Sequence, residues 1–450
     1  MHAEGVVARR GVRERLGALG RPDARFLRRL AITGVGNGLS RALGLLFALV
    51  LAGLFLPADY GYIRWATSVG MLAAIPVAGG PVALARALGA AQGDRARQRG
   101  LATVGLVAIV LVTAACAVVT AVVLAALGRP LGGALAVLVG MTLFTAAYNT
   151  YRGMGSAWRI AVLYAGSNAL QLLLVVLLCG LLGWKIPDLA LIVYSFAWTL
   201  VVLTLEFRAP LDLAWDATAA RGALAELWRV WAPLVLANAA YAGWAWGDVV
   251  LVEHFLGDAA AGYYGLARTI VTVFLLVPEA VTMLLLPLVA AEGRAAGKLT
   301  GSLLGLTAAV SAVLLAGVLL VAPPLLQLWG DGRYAPVTAA LPGLAIGMAL
   351  YALYMVLEGH LVGMGRAAVH AAGISVMLVV TLGGAALLLP SQGLGGGGLA
   401  FALGAAAGLT TLVALGRGAL RGGPSEPPEA GSDQPPGPRG RPEKAQVVGA

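Results

Sequence analysis

Charge is what this sequence has least of. Asp, Glu, Lys and Arg make up only 12% of it while 60% is hydrophobic, and soluble globular domains carry roughly a quarter charged residues. A soluble fold is excluded. Cysteine is nearly absent: Cys116 and Cys179 both sit inside apolar runs. A disulfide framework and a thiolate metal site are therefore excluded, and both read as small buried hydrophobes. There is no Walker motif, so the chain does not itself burn ATP. There is no nucleophile–base or metal-ligand constellation, hence no cofactor to expect and no enzyme to assign. The net charge of +10 comes without any DNA- or RNA-binding motif, so nucleic acid is not an expected partner. Residues 1–30 lack the short apolar core and cleavage site of a signal peptide. They read as an arginine-rich cytoplasmic leader, either a topology determinant or an amphipathic helix whose Arg25, Arg28 and Arg29 meet anionic lipid.

What is there is one apolar run after another. A membrane span needs roughly 20 apolar residues. Runs near 32–55, 60–84, 101–127, 131–152, 160–182, 187–207, 230–256, 262–290, 300–322, 334–362, 367–389 and 395–416 predict twelve spans. The basic residues fit that count. Arg129, Lys185 and Arg333 fall in one set of loops, and Arg41, Arg64 and Arg268 lie within or at the edge of spans. The rest crowd into the two termini and the alternate loops, as expected of cytoplasmic segments. The expectation is an all-α integral membrane protein of the bacterial inner membrane, multi-pass, with both termini cytoplasmic.

The longest internal connector, 208–229, divides the chain into two six-helix lobes, 31–207 and 230–420, and the Pro-, Gly- and Ser-rich residues 421–450 are expected to be a disordered cytoplasmic tail. The lobes look like repeats offset by 201 residues: Asn37 falls on Asn238, Gly61 on Gly262, Tyr62 on Tyr263 and Ala66 on Ala267. Six spans per copy keep both copies in one orientation, which places the repeat axis along the membrane normal and a central cavity between the lobes.

Polar residues inside spans show which faces line such a cavity. An ionised group at bilayer depth costs from about 2.5 to about 17 kcal/mol, and a chain keeps one there when it faces a partner or a wet interior. Asn37, Ser40, Arg41 and Gly44 share one helical face of the first span, and Asn238, Tyr241, Ala245 and Asp248 share one of the seventh. Arg64, Ser68 and Met71 form a stripe in the second, Arg268, Thr272 and Glu279 one in the eighth, and Tyr351, Tyr354 and Glu358 one in the tenth. Arg41 lies near mid-depth and is either a ligand-binding cation or half of a structural lock with Asp248. Arg64 and Arg268 either join it or snorkel to headgroups. Asn168 and Gln171 read as interhelical packing bonds, Tyr148 and Tyr151 as belt or cavity residues, and Glu253 and His254 as groups that reach water at the outer end. Together Arg41, Arg64 and Arg268, with Asn37, Asn238 and Tyr241, are the candidate anion-binding set. Guanidinium matches phosphate oxygens bidentately. Asp248, Glu279 and Glu358 are the candidate ion-coupling carboxylates, taking a proton or sodium, with a static arginine partner as the alternative for each glutamate.

Three phrases carry a resemblance. They are Trp244–Arg294, with its LGD turn, G-Y-Y-x-x-A, Pro-Glu and Leu-rich run; Leu56–Arg86; and Leu325–Arg366. In order and spacing they resemble the polysaccharide-biosynthesis flippases, the O-antigen and exopolysaccharide transporters related to the multidrug and toxin extruders. The resemblance covers nearly all of 30–420. It implies a lipid-linked oligosaccharide as substrate, a polyprenyl-pyrophosphate headgroup in the cationic cleft, membrane lipids around it and other polysaccharide-assembly proteins as partners. Some relatives, the lipid II flippases among them, carry two further spans, which argues for a different branch here. A cation-coupled extruder of the same architecture would want an acidic cavity, and the three arginines speak against it. A membrane polymerase or ligase is expected to need a sizeable outer loop, and the outer loops here are only a few residues long.

Overall fold

The computed structural model describes residues 24–208, 210–213, 217–292 and 297–420. The tail and most of the leader lie outside them. The described residues form thirteen α-helices: α1 (Ala24–Leu54), α2 (Pro57–Ala73), α3 (Ile75–Ala90), α4 (Arg95–Ala126), α5 (Gly132–Gly153), α6 (Ala157–Val175), α7 (Pro187–Arg208), α8 (Ala217–Leu256), α9 (Asp258–Ile270), α10 (Leu276–Glu292), α11 (Gly297–Leu328), α12 (Val337–Gly363) and α13 (Ala367–Leu420). Nine stretches are long and apolar enough to cross a membrane, and the bent pair α2 and α3 makes a tenth. Helix α13 is two helices merged across Gly393, whose φ of 59° and ψ of −142° no helix contains. With α13 divided there and α1 added, the helices fall on the twelve predicted runs. The all-α, multi-span class expected from the sequence is the one observed.

The breaks have local causes. α2 and α3 meet at 58°, beside Pro76, whose ring removes an N–H and clashes with the preceding turn. The eighth run breaks in the same place: a 3₁₀ turn, Val271–Leu275, separates α9 from α10, and Pro278 follows it. Gly257 has a φ of 84°, which turns the chain sharply between α8 and α9 and favours glycine. Asp94 caps α4, its carboxylate accepting from Arg97 N at 3.0 Å. One expectation changes. The connector 208–229 is helical from Ala217 onward, because Leu224, Leu227 and Trp231 continue an apolar stripe at helical spacing. Leu227 and Trp231 bury it against α3 and α4, with Leu84, Leu101 and Ile109.

Helices α4 and α11 bury only 11% of their apolar windows, and α12 buries 61%. The first two are therefore peripheral and α12 is central, packed on α9, α10, α11 and α13. In the first half α1 packs on α6, and α5 on α3 and α7. The halves touch where α2 meets α9 and where α8 crosses α3.

Candidate functional site

Arg41 and Glu279 bring the halves together. Arg41 on α1 donates from Nε to Glu279 Oε2 at 3.2 Å and from Nη2 to Oε1, so the guanidinium fork grips one carboxylate of α10. Neither is sealed off: the Arg41 side chain is 37% exposed and that of Glu279 20%. Tyr164 of α6 lies within electrostatic reach of both, and so does Tyr241 of α8, which also feels Glu358 and Arg268. Tyr351 of α12 feels Tyr241, Glu279, Glu358 and Tyr354. These groups share one space. Its first-half wall is aromatic, with Tyr164 edge-on to Phe144 and Tyr148 at 5.2 Å each. On the second-half side Tyr351, Tyr354 and Trp244 are buried in the core behind Tyr241, Tyr351 stacked on Tyr354 at 5.8 Å and Trp244 4.3 Å from Tyr351. Tyr241 is 43% exposed.

The three arginines do not converge on that space. Arg268 turns into the second half, where Nε lies 3.3 Å from Asp248 Oδ2 and Nη2 donates to the Ala245 carbonyl at 2.7 Å. Its guanidinium sits 4.2 Å from the Phe401 ring centroid. Asp248 is 1% exposed and also accepts from Tyr264 Oη and Val249 N, each at 2.9 Å. A buried charge stays only when paired and hydrogen-bonded, and this one is satisfied on all sides. The lock weighed between Arg41 and Asp248 is thus not the pairing found: Asp248 holds Arg268, and Arg41 holds Glu279. Arg64 does not run out to headgroups. Its stem fills the space that the missing side chain of Gly265 leaves on α9, its guanidinium lies 6.0 Å from Trp246, and its buried Nε has no hydrogen-bond partner among the described residues. Asn238 is half-buried on α8, three residues before Tyr241. The side chain of Asn37 lies outside the described residues.

Glu358 of α12 lies 3.4 Å from His370 Nδ1 of α13. His370 and Tyr164 are the residues sequence reasoning missed. Tyr164 stands four residues before Asn168 and seven before Gln171, a helical stripe that points to it. Nothing local points to His370. Gln171 donates to the Tyr194 carbonyl at 2.9 Å, a packing bond. Tyr151 is fully buried and donates to Glu206 Oε1 at 2.6 Å, neither belt nor cavity wall. Glu253 does not reach water: it is 7% exposed and binds Arg129 Nη2 at 2.6 Å, while His254 beside it is exposed.

That Arg129–Glu253 pair ties the two halves at the end of α8 that carries the Gly257 turn. There α2 and α9 touch backbone to backbone. A side chain at Gly61 would overlap the Asp258 carbonyl, and one at Gly262 the Pro57 carbonyl. The repeat partners Gly61 and Gly262 thus form one crossing. Tyr334, in the turn before α12, donates to the Phe55 carbonyl at 3.3 Å. Burial pushes its phenol above the ordinary range, so it remains a neutral donor.

No family model and no curated protein matches this chain. Solved structures do. An inward-facing multidrug resistance MATE family transporter of the MOP superfamily superposes with a TM-score of 0.71 at 16% identity, over 85% of this chain and 94% of that one. The lipid II flippase MurJ in an inward closed conformation gives 0.68 at 12% identity, over 86% and 87%. An outward-facing MATE family transporter gives 0.62 at 15% identity, over 89% and 96%. The chain is a multi-pass membrane protein, and its fold is the one these MOP-superfamily transporters share.

Proposed function

We propose that this chain moves a polyprenyl-(pyro)phosphate-linked oligosaccharide across the bacterial inner membrane by alternating access, for export of cell-surface polysaccharide. The observation that carries the reading is the state of Arg41. Its guanidinium stands at mid-depth of α1, more than a third exposed, and is held by one carboxylate from the other half. An exposed ion pair contributes only ~0–1 kcal/mol, so Glu279 is easily displaced. A diphosphate presents the same bidentate geometry with more charge. The rings of Tyr148, Tyr164 and Tyr241 supply faces on which sugars stack. The lipid chain stays in the bilayer, reaching the cavity between helices, while the headgroup passes inside. The neighbours' names, transporters and a flippase rather than enzymes, support this reading, as does a clustering of basic residues of the kind expected of cytoplasmic termini.

Translocation of a fluorescent polyprenyl-pyrophosphate oligosaccharide in reconstituted vesicles tests it. Wild type should move the headgroup, and Arg41→Ala, folded and equally stable, should lose at least tenfold of the rate. Equal transport by Arg41→Ala would overturn the cationic cleft. A second reading has an observation of its own: Glu279 and Glu358 beside an aromatic wall suit a cationic, amphipathic drug. Efflux of such cations from the same vesicles, with no movement of any lipid-linked sugar, would establish a cation-coupled multidrug extruder instead.

A further inference from the structure

Between α12 and α13 three titratable side chains meet. His370 Nδ1 lies 3.4 Å from Glu358 Oε1 and 3.1 Å from Tyr354 Oη, and Tyr354 Oη lies 3.0 Å from the His370 carbonyl oxygen. His370 is 21% exposed and Glu358 27%. Both stand within two turns of the chain reversal at Gly365, so water reaches them while they remain inside the helix bundle.

We propose that Glu358 and His370 form a proton-binding site linked to anion binding at Arg41. The linkage rests on the function proposed above; the proton site itself does not.

The hydrogen bonds fix how the proton is held. A carboxylate accepts and never donates, so Glu358 beside Nδ1 selects the tautomer with hydrogen on Nδ1. Tyr354 then gives its single hydrogen to the His370 carbonyl and turns a lone pair to Nδ1–H. Nε2 is left with a free lone pair. On uptake the pair goes from a net charge of −1 to zero, and the proton belongs to the coupled pair as a unit. Sodium fits poorly. Hard cations want a shell of oxygens, and here the carboxylate's nearest charged neighbour is a ring nitrogen.

The groups facing the pair set the sign of the linkage. Tyr351 and Tyr354 come from α12 itself, and Tyr241 from α8. Glu279 of α10 and its partner Arg41 of α1 lie within reach of the same Tyr241. Arg366, exposed, precedes His370 by one turn. His360, the histidine of α12 itself, is bonded to Thr300 of α11. Since Tyr241 lies within reach of Arg41, Glu279 and Glu358 together, an anion that displaces Glu279 enters the field of the Glu358 carboxylate. Like charges repel, so the anion favours the protonated pair, and the proton favours the anion by the same factor.

The chain has four histidines, so nitrogen-15 NMR of histidine-labelled protein in nanodiscs resolves them, and His370→Asn assigns the signal. The expected result is a His370 signal that titrates between about pH 5 and pH 8.5, and a proton affinity that falls about tenfold in Glu358→Gln. A His370 signal that does not move, or one that Glu358→Gln leaves in place, overturns the site. The linkage is read with geranyl-pyrophosphoryl-N-acetylglucosamine, a diester whose charge is constant over that range. Its affinity should rise several-fold from pH 8 to pH 6 in wild type and stay level in His370→Asn. Titration of His370 with pH-independent probe binding overturns the linkage alone. Titration of His370 with no probe binding at any pH leaves the proton site standing and defeats the proposed substrate.

Discussion

Besides the crossing of α2 and α9, the halves of this molecule meet, among the described residues, along two seams that the 201-residue offset relates, and these seams are built from opposite materials. In one, α8 crosses α3. Trp231 is 1% exposed there, its indole donates to the Pro76 carbonyl at 2.8 Å, and its ring lies where side chains at Gly79 and Gly80 would otherwise be. In the other, α1 passes α10. Among the described residues the two helices touch only slightly, and the Arg41–Glu279 pair bridges them. The 201-residue offset puts Ala242 where Arg41 stands and Ala78 where Glu279 stands. An aromatic ring seated on glycines cannot be withdrawn without opening a cavity and orphaning a carbonyl. A partly exposed ion pair exchanges partners at less cost. One seam is therefore the fixed joint. The other is the side on which a headgroup can compete for Arg41 and a lipid chain can pass between helices.

The largest effect is expected where the joint is fixed. Trp231→Ala should lower stability by about 3–5 kcal/mol, the usual range for removing a buried aromatic ring. Thermal unfolding in detergent should shift down by several degrees. Gly80→Leu should do damage of the same kind by overpacking. If Trp231→Ala unfolds with the wild-type midpoint, the two seams do not differ in the way described.

At the exchangeable seam the effect should appear in binding rather than in stability. Glu279→Gln removes the competitor for Arg41 and should tighten binding of a fixed-charge diphosphate diester several-fold. Arg41→Gln should abolish that binding. Both should unfold within about 1 kcal/mol of wild type, since the pair is partly exposed. Isothermal titration beside a melting curve reads both quantities. Loss of binding in Glu279→Gln as well would mean that the pair acts as a rigid unit and not as a site for exchange.

Much of this was legible in the chain. The spans are apolar runs, and Pro76 and Pro278 mark the two broken ones. The depth of Arg41 follows from its distance into the first run. Its partner does not follow. Asp248 and Glu279 are both carboxylates inside second-half spans, and charge alone does not choose between them. The choice is made by α9, which folds back on α8 and brings Arg268 to Asp248, so that Glu279 is left for Arg41. His370 was equally hidden, because the stripe Tyr351, Tyr354 and Glu358 gains its fourth member only when α13 packs on α12. The helical start of α8 was readable in Leu224, Leu227 and Trp231, but arginines and alanines around them gave the stretch the look of a connector.

The smallest effect is expected at a second Arg–Glu pair that, like Arg41–Glu279, bridges the halves. Arg97 of α4 binds both oxygens of Glu226 of α8, at 3.1 and 3.0 Å. It also bridges the halves, through the single nitrogen Nη2, and the two side chains are 51% and 42% exposed. It lies on the fixed seam, where Trp231 already holds α8 in place. Arg97→Ala should therefore change stability by no more than about 0.5 kcal/mol and leave both headgroup transport and diphosphate binding at wild-type levels. The two pairs differ at the guanidinium, two nitrogens of Arg41 against one of Arg97, and in what surrounds them: an apolar joint packed around Trp231 in one case, and the partly exposed Tyr164 and Tyr241 in the other. Equal loss of transport in the two variants would show that any cation bridging the halves matters, and the assignment of Arg41 as the headgroup's partner would fail.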